Sequence, residues 1–98
     1  MTQNLPKASL GVVSLGLAVG IAWALGVFLL GLAAGLLDWG VPVVAVMSSV
    51  YIGYSPSFVG SITGAVWGFF DGFIGGVVIA WLYNRFASRG AAVPPDAG

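Results

Sequence analysis

Within GSITGAVWGFFDGFIGG, the stretch from Gly60 to Gly76, a single carboxylate, Asp71, stands among apolar residues with a glycine at every fourth position. It is the residue type here that could carry a proton or a cation. The 98 residues contain no histidine and no cysteine, so imidazole ligands, thiolates and disulfides are excluded. No Ser-His-Asp set, metal-ligand cluster or phosphate-binding glycine loop occurs, because the glycines have helix-packing spacing inside an apolar run. The chain reads as non-enzymatic, without a cofactor or metal and without a nucleic-acid partner. Asp71 itself then has two readings: it lines a water path or carries a proton or cation, or it is a hydrogen-bonded polar clamp between packed helices.

An aspartate at the centre of a membrane span costs about 2.5–3.5 kcal/mol on insertion scales, so something must offset it. Arg85 is 14 residues further on, about 21 Å along a helix, and cannot reach. With two antiparallel spans aligned at their centres, Trp23 comes level with Asp71, and Trp67 lies one turn before it on the same helix face. Either indole N–H is expected to donate to the carboxyl.

The elements that must hold these residues are read from composition. Hydrophobic residues make up 59% and charged residues 6% of the chain, which marks a membrane protein. Residues 8–37 carry no ionisable side chain, and residues 57–86 carry only Asp71 and, near the end, Arg85. Each run exceeds the roughly 20 apolar residues that cross a bilayer core. The first is too long for the apolar region of a signal peptide and is expected to be a retained helix. The expected fold is an all-α membrane protein: a two-helix transmembrane hairpin, with residues 1–7 and 87–98 as cytoplasmic ends and 38–56 as a membrane-associated connection.

Lys7, Arg85 and Arg89 fall on one side of the two spans, and the connection carries no Lys or Arg. The positive-inside rule then places both termini in the cytoplasm. Trp39, Tyr51 and Tyr54 in the connection, and Trp81, Tyr83 and Arg85 at the other end, are expected at the membrane interfaces. The connection DWGVPVVAVMSSVYIGYSPS is too apolar for an exposed loop. It is read either as a short helix on or dipping into the outer leaflet, with Pro42 in its first turn, or as an extended connector. Ser55 and Pro56 are expected as N-cap and first residue of the second span.

Gly60, Gly64, Gly68, Gly72 and Gly76 form four overlapping GxxxG repeats, and the first span offers Gly16 and Gly20. Lipid gives no hydrophobic push between helices, so close backbone approach across small residues is what joins them. The glycines are expected to form a zipper onto further copies or partners, holding Asp71 at the buried seam; the alternative is that they join only the two spans of one chain.

The block from Tyr51 to Asn84 also carries a family resemblance. Its pattern runs through Trp67, Gly68, Phe69, Asp71, Gly72, Ile74, Gly75 and Gly76 to the motif AWLYN at Ala80–Asn84. This resembles small two-span bacterial membrane proteins grouped as bacteriophage holins, with Trp23 and Gly26 matching in the first span. The resemblance implies a protein that clusters in the bacterial inner membrane and opens lesions. The tail SRGAAVPPDAG departs from the pattern in lacking dense charge.

Three functions follow as expectations. The first is a holin-like pore or ring that self-associates through the glycine zipper. The second is a non-catalytic accessory subunit packed against a larger membrane complex. The third is an ion-translocating ring using Asp71. All have the lipid bilayer as partner.

Overall fold

A computed structural model describes residues 10–91; the expectations for residues 1–9 and 92–98 lie outside them. The described chain is helical, with α1 at Val12–Leu37, α2 at Val41–Ser48 and α3 at Phe58–Ala91. The two long helices pack antiparallel as a hairpin. Both are long and apolar enough to cross a membrane. Only 17% and 22% of their most apolar windows are buried within the chain, whereas core helices of a water-soluble protein bury most of theirs. The remaining apolar surface is suited to lipid.

The helix bounds follow from local chemistry. Gly11 is the N-cap of α1, and the side-chain amide of Asn84 grips the backbone just before it. Its Oδ1 accepts from the Leu10 N–H at 2.6 Å and its Nδ2 donates to the Leu10 carbonyl at 2.9 Å. This ties the start of α1 to the far end of α3. Phe58, not Pro56, opens α3, and Ser57 caps it: the Gly60 N–H donates to the Ser57 hydroxyl at 2.9 Å. Ser55 instead pairs with the Ser57 hydroxyl at 2.9 Å. At its other end α3 continues through Ala91, past the expected end at 86.

The glycine seam is filled inside one chain. A Cβ on Gly76 would lie 2.8 Å from the Cα of Gly16, and one on Gly72 would lie 2.8 Å from the Cα of Gly20. Gly68 faces Ala24, Trp23 and Val27, while Gly64 and Gly60 receive Tyr54 and Ser55 of the connection. All five are buried, as are Gly16 and Gly20. Within the chain these glycines join α1 to α3 and seat the connection, which is the contact between the two spans given above as the alternative. The reason is geometric, since the two runs share one register and each glycine meets backbone or a ring of its own chain.

The connection is a re-entrant segment. Asp38 closes α1 in the left-handed conformation (φ 53°), and Gly40 (φ 79°) turns the chain back on itself. α2 then descends along α1, with Val43 and Met47 facing Trp23, Gly26, Val27 and Leu30 across an open groove. Gly53 (φ 94°) redirects the chain, and the return brings Pro56 against Gly35. A core of Val27, Ala34, Val44, Tyr51 and Tyr54 holds the segment in place.

Candidate functional site

Trp23 is 14 residues before the end of α1 and Asp71 is 13 residues after the start of α3, so both lie about 20 Å down the hairpin. The tip of the re-entrant segment reaches that depth. Tyr51 donates its hydroxyl hydrogen to Asp71 Oδ2 at 2.5 Å and accepts one from Trp23 Nε1 at 2.9 Å. Its ring stacks on Trp67, with centroids 6.2 Å apart and planes 9° apart. Trp67 donates its own N–H to the Ile52 carbonyl at 2.9 Å, closing the tip onto α3.

The expected alignment of Trp23 with Asp71 holds, but the expected donor does not. Neither indole reaches the carboxyl: Trp23 acts through Tyr51, and Trp67 is committed to Ile52. Tyr51 was readable as an interfacial aromatic; it is 6% exposed and reaches Asp71 because the connection folds inward. Tyr54 is corrected likewise. It is 3% exposed, fits against Gly31 and Gly64, and donates to the Val27 carbonyl at 2.6 Å.

Asp71 is not inside the glycine seam. It sits one residue before the buried Gly72, and its own side chain is exposed on the surface of the hairpin. Among the described residues Tyr51 alone donates to it. On the same face the next turn holds Gly75, where a Cβ would meet nothing within 4 Å, flanked by the exposed Ile74 and Val78. The carboxyl therefore borders an open notch below the tip of the re-entrant segment.

The other expected interfacial residues are exposed: Trp39 at the reversal, and Trp81, Tyr83 and Arg85 towards the end of α3. The Arg85 guanidinium lies 5.4 Å from the centroid of the Trp81 ring, a cation–π arrangement. Two functional residues escaped the sequence reading, Tyr51 as the donor and Asn84 as the clasp. The usable signal for Tyr51 was a midspan acid lacking a cation, next to a connection too apolar to leave the membrane.

Fold and site together define a helical hairpin of the membrane-protein class, with a re-entrant connection and a hydrogen-bonded carboxyl at mid-depth. Comparison with models of known protein families, with curated proteins and with solved structures gave no match.

Proposed function

We propose that this protein is a non-catalytic membrane subunit that works by lateral assembly, docking its Asp71 face on a transmembrane helix of a larger complex. The observation that carries this reading is the exposure of Asp71 at the middle of α3. Facing lipid, a midspan aspartate costs about 2.5–3.5 kcal/mol, and one hydrogen bond from Tyr51 satisfies one of its two oxygens. Covering that face with a second polar group removes the cost. The glycine seam supports the reading indirectly, because it makes the hairpin a preformed unit that needs no partner to hold its helices together.

A holin-like ring of copies is the second reading. Gly75 favours it, since it lies away from the seam with open space around it where another helix could approach. In either case we place the protein in the bacterial inner membrane with both termini cytoplasmic, on the distribution of Lys7, Arg85 and Arg89.

The test is native mass spectrometry after gentle extraction from native membranes. A large mass shared with other proteins supports the subunit reading. A multiple of the 10.0 kDa chain supports the ring, and a 10.0 kDa monomer overturns both.

A further inference from the structure

The face around Asp71 has a particular chemical need, and the hairpin's own donors cannot meet it. At this depth every donor seen is already used. Trp23 donates to Tyr51, Tyr51 to Asp71, Trp67 to the Ile52 carbonyl, Tyr54 to the Val27 carbonyl and Thr63 to the Val59 carbonyl. Ser61 is fully buried at the seam beside Gly31, and Ser14 lies nine residues before Trp23, about 13 Å nearer the opposite end. No Lys or Arg occurs anywhere from Ala8 to Asn84. Ser48 and Ser49 beside the tip donate to the Ala45 and Val46 carbonyls, so a second copy would bring to this depth another Asp71, apolar side chains and hydroxyls whose hydrogens are already engaged.

We infer that the occupant of the Asp71 face is a transmembrane helix of a different protein, carrying a lysine or arginine at mid-depth. This rests on the assembly reading above and names the partner's chemistry. Charge complementarity is the argument: a cation beside Asp71 provides the donor that the exposed carboxyl lacks, and in a low-dielectric setting each charge stabilises the other. The shape agrees. Tyr51 walls the carboxyl on the outer side, while Gly75 one turn further leaves room for the stem of a long basic side chain between Ile74 and Val78.

The experiment reconstitutes the full chain in phosphatidylcholine vesicles, with a donor fluorophore on its C-terminal tail. The probe is an acceptor-labelled polyleucine transmembrane helix with one central lysine; the control has leucine there. Acceptor-labelled copies of the chain itself report self-association in parallel. The lysine helix is expected to associate with the native chain roughly 10- to 100-fold more strongly than the leucine helix, the worth of one charge-assisted hydrogen bond. Asp71→Asn should abolish the preference, with an unchanged helical circular dichroism spectrum showing that the variant folds.

Equal association of the two helices with the native chain overturns the inference without recourse to any variant. If the copies then associate with one another and Asp71→Leu abolishes that association, assembly at this face stands and a second copy is the occupant. If neither helix nor copies associate, the assembly reading falls as well.

Discussion

Replacing Gly72 by alanine tests the seam most directly. A methyl at this position would lie 2.8 Å from the Gly20 Cα, 2.8 Å from the Val19 carbonyl oxygen and 3.0 Å from the Trp23 Cβ. The first two are backbone atoms, which cannot rotate away as a side-chain end can. Reaching the 3.4 Å at which ordinary contact begins requires α1 and α3 to move apart by about 0.6 Å (3.4 less 2.8) at this point. The packing beside it, where Gly76 meets Gly16, opens with it. Overpacking of this kind costs about 1–3 kcal/mol. Alanine is also the better helix former by about 1 kcal/mol, which partly masks the loss. Gly75→Ala cancels that term: it has the same propensity gain on the same helix, but its methyl meets nothing within 4 Å. The difference between the two alanine variants therefore isolates the seam, and is expected to be about 1–3 kcal/mol with Gly72→Ala the less stable. Denaturant unfolding of the hairpin in micelles, followed by tryptophan fluorescence, measures it. A difference below about 0.5 kcal/mol, smaller than any backbone overlap should give, would refute the account of the seam.

Three further outcomes follow from the same geometry. Tyr51→Phe removes the hydroxyl that bridges Trp23 and Asp71 and is expected to destabilise the hairpin by about 1–3 kcal/mol in the same unfolding assay. Asn84→Ala releases both hydrogen bonds to Leu10, so the first turn of α1 should fray, read as faster hydrogen exchange there and a loss of about 1 kcal/mol. Ser61 is fully buried with no partner for its hydroxyl, so Ser61→Ala should leave stability unchanged or raise it by up to about 1 kcal/mol; a clear loss would show that the hydroxyl is bonded.

Much of the architecture was legible in sequence because it depends on quantities that are additive along the chain. The length and apolarity of residues 12–37 and 58–88 suffice for two membrane-crossing helices, whatever they touch. Glycines every fourth residue announce a close helix contact, and centring two antiparallel spans puts Trp23 level with Asp71. What periodicity cannot name is the partner. The four-residue repeat reads the same whether a helix of this chain or of another lies in the groove, and only the shared register of Gly16 with Gly76 and Gly20 with Gly72 assigns it to the chain itself.

The site depended still more on tertiary structure. An apolar connection of twenty residues can lie on the membrane or turn into it, and composition alone does not choose. The choice rests on local turns at Gly40 and Gly53 and on notches at Gly31 and Gly64 that accept Tyr54, features that exist only once α1 and α3 are side by side. That pairing draws Tyr51 some 20 Å down the hairpin to Asp71, and it turns the carboxyl outward beside Gly75 instead of into the seam. Sequence thus determined that a midspan acid needs a donor, because desolvation is a property of the residue and its depth. Which donor arrives, and which face the acid presents, was decided by how three helices share one small interior.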